Sequence, residues 1–532
     1  MMNFLPLHRR SLLSMACAAT LAALTPLAAS AAAQPQHGGT LNAILFPEPP
    51  ALNLAMQQVQ STQMVAGKIY ESLLQYSKSL EPMPSLAASW EVSADRLRYT
   101  FHLQKDVTWH DGQAFTSADV VFTYQEILSK TPRTRTLMEN VEALSAPDAH
   151  TVVFQLKAPY SAFLFAHDIG GGAILPKHLY EGVELSKSRH NNAPIGTGPF
   201  MFKKWDRGTS IELVKNPSYW QKGLPYLDGI TYQIIPDAAT RRMALELGNV
   251  QQAIPGDIDP VDIALLSKLP HLKTTTDGGE YWSTLNWVEF NNTVAPMNDK
   301  RFRQAVMHAI DRDFIVNKIV FGQGQVATGP LHHNTRFYEP NVKKYDYNPK
   351  KAIALLDEMG LKPNSKGVRT TLNFIPLPYG EMPRRIAEYM RMSLLKVGIE
   401  INIKAGDVGT WVTDMGNHNF HMGANGVYQY GDPAIGVART YISSNIKKGL
   451  MFSNTAQYSN SKVDALFAQA ATAPDSERQG LYSDIQKQLV EDVPILWLYD
   501  HLGTTFFDKR VHNAYTTGLG YAGSYAQAWL SK

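Results

Sequence analysis

The stretch from Pro84 to Thr123, PSLAASWEVSADRLRYTFHLQKDVTWHDGQAFTSADVVFT, constrains the fold more than any other part of the chain, because it spells out a strand, a turn and a helix in one run. Leu97, Tyr99, Phe101 and Leu103 alternate with Arg98, Thr100, His102 and Gln104, the period-2 pattern of a strand with one buried face. Lys105-Asp106 reads as a turn, and the apolar run Val107 to Trp109 stops at Asp111-Gly112, where glycine readily takes positive φ. A hairpin is expected. Thr116-x-x-Asp119 has the form of a capping box, and Val120, Val121, Tyr124, Ile127 and Leu128 fall on one face of the helix that follows.

In its motifs SWEVS, RYTF, WHDG and FTSADVVFT, in that order, this stretch resembles the family 5 extracellular solute-binding proteins, the peptide and nickel receptors of bacterial ABC importers. The resemblance extends to Tyr70-Glu71-Ser72-Leu73-Leu74, to the turn Gly196-Thr197-Gly198-Pro199-Phe200, and to the block from Phe290 to Gly324. It implies that His110 and Asp111 are scaffold. It also implies an α/β fold of the periplasmic-binding-protein type II class: two lobes joined by a hinge, with an extra domain inserted in the first. The expected boundaries are 1–33 for a signal peptide, 34–80, 195–288 and 503–532 for the first lobe, 81–194 for the inserted domain, and 289–502 for the second lobe.

At 532 residues, two or three domains are expected. The formal charge is +3, falling to about +1 without Arg9 and Arg10, and charges of both signs are interspersed. That is no footprint for nucleic acid or for a membrane-surface patch. Residues 1–33 combine His8-Arg9-Arg10, an apolar stretch and small residues before Gln34, which is the pattern of a signal peptide cleaved after Ala31 or Ala33. Both the general secretory and the twin-arginine routes suit it. The one cysteine, Cys17, lies inside this segment, where the apolar run continues past it and speaks against lipid attachment. After processing no thiol chemistry remains.

Further along, Gly38 to Leu45 reads as a strand, Met64 to Tyr76 contains a helix with the YESLL motif, and Gly170-Gly171-Gly172 reads as a flexible loop. Phe302, Ala305, Val306, Ala309 and Ile310 form one helical face behind a cap at Asn298 or Asp299. Asn348-Pro349 starts another helix, Glu381 to Lys396 and Glu477 to Val490 are helical, and Ile399 to Ile403 and Val493 to Tyr499 are strands. Strands alternating with helices indicate α/β lobes.

Signals for chemistry are few. His332-His333 and His418-x-x-His421 are the histidine groupings worth testing as metal ligands, but neither has a carboxylate or thiolate partner at ligand spacing, and HExxH, GxSxG and a P-loop are absent. No catalytic residue, metal or cofactor is expected. A binding cleft instead needs amphipathic groups, which cluster in Gly423 to Ile435 as Tyr428, Gln429, Tyr430 and Asp432. Trp282 and Trp287 are either ligand-facing or core aromatics.

Resemblance places Tyr430-Gly431-Asp432-Pro433 at the ligand and sets Glu48, in the loop after the first strand, at the border of the cleft. Peptide-binding relatives carry an aspartate where Gln429 stands and an arginine where Leu377 precedes Pro378-Tyr379, and nickel-binding relatives a histidine at Ala434. The ligand residues implied are therefore Glu48, Tyr379, Tyr428, Gln429, Tyr430 and Asp432, with Arg439 as a further charged candidate. Gln429→Ala is expected to weaken binding without lowering stability. The function implied is a periplasmic, monomeric, non-enzymatic receptor that delivers a peptide or peptide-like solute to an ABC permease and ATPase. An opine, an oligosaccharide or a metal chelate is the alternative ligand, and a secreted hydrolase the alternative class.

Overall fold

The computed structural model describes residues 34–532 except residue 57; the signal-peptide reading and Cys17 lie outside the described residues. Residues from Gln36 onward form one compact unit built on three sheets of four or more strands, with two further two-stranded ribbons among the described residues. The first has seven strands in the order Leu272–Thr275, Thr505–Asp508, Gln252–Ala253, Thr40–Leu45, Gly229–Ile234, Ser210–Lys215 and Phe200–Asp206. Thr40–Leu45 lies parallel to both neighbours, and its Leu41, Ala43, Ile44 and Leu45 are fully buried. Near-continuous apolar sequence is what a strand covered on both faces requires.

The four-stranded antiparallel sheet Ala87–Val92, Arg98–Leu103, Thr151–Leu156, Val141–Asp148 takes its first two strands from the stretch Pro84 to Thr123. Tyr99, Phe101 and Leu103 are buried, as the alternation requires. The WHDG turn closes through hydrogen bonds from Trp109 N to Gln113 O (2.8 Å) and from Gly112 N to Trp109 O (2.8 Å). Asp119 Oδ2 accepts from Thr116 N at 2.9 Å, completing the capping box of the helix Ser117–Phe122. His110 bridges to the GTGPF turn: its Nδ1 accepts from Gly196 N (3.2 Å) and its Nε2 lies 2.9 Å from Gly198 O. Scaffold is the role this geometry gives it.

The second large sheet runs Gly324–Val326, Ile495–His501, Leu285–Phe290, Met422–Val427, Thr370–Ile375, Ile399–Ile403. It carries its own core, into which Trp287, Phe302, Ala305, Val306 and Ala309 pack, so Trp287 is a core aromatic. Asp299 caps the helix Lys300–Ala309, and Asn348 caps Pro349–Glu358. The chain crosses between the two large sheets through 276–284 and returns through 502–504. The second sheet thus begins at Leu285, ahead of the 288 boundary drawn from sequence.

Two local expectations differ. The helix expected across the YESLL motif is confined to Gln60–Ala66, and Leu74–Tyr76 is a strand paired with Pro82–Pro84. Tertiary contacts take the backbone that a longer helix would need: Lys68 O and Ile69 O accept from Phe200 N and Gly198 N, and Ser72 O and Leu73 O from Leu86 N and Ala87 N. A Cβ at Gly67 would come 2.1 Å from Ala522 O, and one at Gly196 1.9 Å from Ile69 O, so only glycine allows these approaches. The second difference is Gly170-Gly171-Gly172, which is a buried helical turn rather than a flexible loop, capped by Asp168 through Gly170 N at 2.8 Å.

Candidate functional site

Where the two large sheets meet, the first crossover brings Tyr281 and Trp282 against the loop that follows Met422–Val427. Gln429 N donates to Trp282 O (2.8 Å), which fixes the height of this loop on the crossover. The Trp282 ring stacks on Tyr521 (5.8 Å between centroids) and meets Tyr428 (5.5 Å) and Tyr430 (6.3 Å) edge-on. Tyr428 and Tyr430, though carried by the second lobe, also pack against the core of the first. Aromatic pairs of this kind favour edge-to-face and offset geometries, and they leave phenol hydroxyls as neutral donors. Burial pushes the Tyr428 hydroxyl up to about 12, and Tyr521 well above its ordinary value.

Tyr521 is itself held from below by Lys68, a fully buried lysine whose Nζ donates to Tyr521 O at 2.6 Å and sits 4.0 Å from the Tyr525 ring centre. Burial alone lowers the Lys68 pKa. Tyr281 stacks on Tyr76 (5.1 Å), and its single hydroxyl proton is shared between Asp168 Oδ2 (2.7 Å) and Phe165 O (2.9 Å). Tyr379 is 54% exposed and stands 6.3 Å from Trp411, over a small apolar cluster that includes Leu377.

The residues singled out from sequence fall into three groups. Tyr428, Tyr430 and Tyr379 present aromatic surface. Gln429 and Asp432 are 1% and 0% exposed, and their polar atoms are used inside the second lobe. Gln429 Nε2 donates to Pro330 O (2.9 Å), and its Oε1 accepts from His332 N (3.0 Å) and Thr335 Oγ1 (2.5 Å). Asp432 takes a two-pronged bond from Arg478 and lies 3.5 Å from Arg336. Glu48 forms the third group: it accepts from Trp205 Nε1 (2.9 Å) and Gly208 N (3.2 Å) at the end of the first sheet, so its carboxylate already holds a turn. Arg439 spreads over backbone, donating to Gly436 O and Tyr428 O, with its guanidinium 5.4 Å from the Tyr430 ring centre. Tyr281, Tyr521, Lys68 and Arg478 escaped the sequence reading, because no local pattern marks residues whose partners are remote along the chain.

Residues 81–448 match the model of the bacterial extracellular solute-binding proteins, family 5 middle region. The chain belongs to this family. As a family 5 solute-binding protein it is 30% identical over 488 residues to the oligopeptide-binding protein AppA of Bacillus subtilis, covering 89% of this chain and 88% of that protein. The solved structure of that AppA in complex with a nonapeptide superposes with a TM-score of 0.80 at 29% identity, covering 94% of this chain and 100% of that one. The periplasmic binding protein DppA of Helicobacter pylori, in complex with the peptide STSA, does so with a TM-score of 0.80 at 25% identity, covering 93% of this chain and 99% of that one. The two-lobed α/β architecture expected from sequence is thereby established, as is the role of a solute-binding receptor. This family 5 protein belongs to a family of binders rather than of enzymes, and among its described residues no helix is long and apolar enough to cross a membrane.

Proposed function

We propose that this receptor captures a peptide or peptide-like solute between its lobes and presents the closed form to an ABC permease and its ATPase at the outer face of the inner membrane. The observation that carries the reading is the aromatic cluster of Trp282, Tyr428, Tyr430 and Tyr521, contributed from both sides of the crossover. A cluster that is complete only when the lobes meet gives a solute that inserts there a differential affinity for one state, which is what drives hinge closure. AppA and DppA, with their bound peptides, support the choice of solute.

Tyr379, Tyr428 and Tyr430 are the contact residues in this reading. Gln429 and Asp432 set the loop from beneath, and Glu48 sets the turn at the edge of the first sheet. With the Asp432 carboxylate committed to Arg478, recognition rests on aromatic faces, phenol hydroxyls and backbone groups rather than on a carboxylate for the peptide amino terminus. Export by the signal peptide in residues 1–33 delivers the chain to the periplasm in this reading.

Native mass spectrometry of protein gently purified from periplasm, followed by identification of the molecule it releases, tests the proposal. A peptide supports it; an opine, oligosaccharide or metal chelate overturns the solute class, and turnover of a peptide or ester would mark a hydrolase. With the solute in hand, Tyr379→Ala and Tyr430→Ala should each weaken binding at least about tenfold, as aromatic anchors do, with the unliganded melting temperature nearly unchanged for the exposed Tyr379.

A further inference from the structure

His332-His333 has no acidic partner nearby in sequence, but the fold supplies one from 167 residues away: His333 Nδ1 lies 2.8 Å from Asp500 Oδ2, and His333 N donates to the same oxygen at 3.1 Å. The His332 and His333 rings stack with centroids 4.4 Å apart. One donor atom from each of His332, His333 and Asp500 falls within 4.8 Å of the others, the one such trio among the described residues. His418 and His421 do not join a trio of this kind there.

Three observations separate this cluster from an ordinary buried hydrogen bond. Asp500 is 2% exposed, and its Oδ1 has no hydrogen-bond partner, a costly state for a buried carboxylate oxygen. Both halves of the cluster are rigidly mounted: Asp500 lies one residue before the end of the strand Ile495–His501, paired with Leu285 and Gln325, while Gln429 pins Pro330, His332 and Thr335. Finally, one side remains open, because the His333 side chain is 23% exposed whereas His332 and Asp500 are enclosed.

We propose that His332, His333 and Asp500 form a binding site for a divalent transition-metal ion, with two imidazole nitrogens and one carboxylate as ligands and at least one position left for water or an outside donor. A two-histidine, one-carboxylate set suits Zn²⁺ or Ni²⁺ and disfavours Mg²⁺ and Ca²⁺, which prefer all-oxygen shells. Donors bonded at about 2.1 Å stand about 3.4 Å apart in a tetrahedron, so the trio tightens on binding, and the metal replaces the proton that His333 shares with Asp500. The site lies just before the 502–504 return to the first lobe, so an ion there braces the hinge end of the second sheet.

The test uses untagged full-length mature protein stripped with a chelator and dialysed against Zn²⁺ alone, then Ni²⁺, with Mg²⁺ as the control. About one equivalent of Zn²⁺ should bind, and binding should weaken at least about tenfold in His333→Ala. Co²⁺ in place of Zn²⁺ should give visible absorption bands that His333→Ala abolishes. His333→Gln, which keeps a polar group over Asp500, guards against loss of fold. Absence of Zn²⁺ uptake by the parent protein, or equal uptake by His333→Ala and His332→Gln, overturns the site.

Discussion

Asp432 and Arg478 face each other with both side chains fully buried, joined by two bonds of 2.6 and 2.8 Å between Nη2 and Oδ1 and between Nη1 and Oδ2. Burial pushes the Arg478 pKa down, and the facing carboxylate reverses that and carries it up. Arg478 belongs to the helix Asp475–Asp492, and Asp432 caps Ala434 N at the start of the next helical turn, so the pair ties the tyrosine loop to the body of the second lobe.

Breaking such a pair strands a charge in the interior. Arg478→Met is expected to cost about 3–5 kcal/mol of unfolding free energy, because Asp432 then lacks its principal counter-ion. Urea unfolding measures this, and a loss below about 1 kcal/mol would show the pair to be solvated.

Gln429 leads to a revised expectation. From sequence it is a cleft residue whose removal spares stability; in the structure its amide joins the loop at 428–432 to the segment 330–335 through Pro330 O, His332 N and Thr335 Oγ1. Gln429→Ala leaves two donors and one acceptor short of a partner. It should lower the stability of the unliganded protein by about 1–3 kcal/mol and weaken solute binding as a consequence. Weakened binding with unchanged urea midpoint would instead return Gln429 to the cleft.

The inserted domain and the second lobe are latched at the end of the helix Ser461–Thr472. Arg96 Nη2 donates to Thr472 O (2.6 Å), and Ser161 N and Oγ donate to Ala471 O and Ala473 O. A guanidinium on the free carbonyls of a helix C-terminus is favourable by hydrogen bonding and by the helix dipole. Arg96→Ala should remove about 1–2 kcal/mol from the closed state, read as a solute affinity about 5- to 30-fold weaker through faster dissociation, with a larger radius of gyration in solution scattering. Unaltered dissociation would dismiss the latch.

Glu71, buried under Tyr219 Oη (2.9 Å) and Trp220 Nε1 (3.0 Å), gives a pH signature. Burial raises its pKa from 4.5 to about 7, against the opposing pull of those two donors. Between these values the folded state binds more protons than the unfolded state, so stability falls as pH rises from about 4.5 to 7 and is level beyond. The loss is on the order of 3 kcal/mol. Glu71→Gln cannot ionise, so its urea midpoint should fall less than that of the parent across this window; parallel curves would show that Glu71 titrates normally.

Local patterns were enough to read much of the scaffold. Alternation in 97–103, the Thr116–Asp119 box, and the capped helices at Asp299 and Asn348 depend on neighbours a few residues apart, and each is where the sequence puts it. The family, and with it the two-lobed plan and the receptor role, was legible from motif order in Pro84 to Thr123. What tertiary structure decided is which polar groups are spent. Glu48, Gln429 and Asp432 look available in sequence because their partners Trp205, Thr335 and Arg478 are remote along the chain. The helix expected through Tyr70 gives way because its carbonyls serve neighbouring segments, and His332-His333 acquires Asp500 only through the sheet. Hydrogen bonding is short-ranged in space and indifferent to sequence separation, so periodicity predicts a residue's face but not its partner.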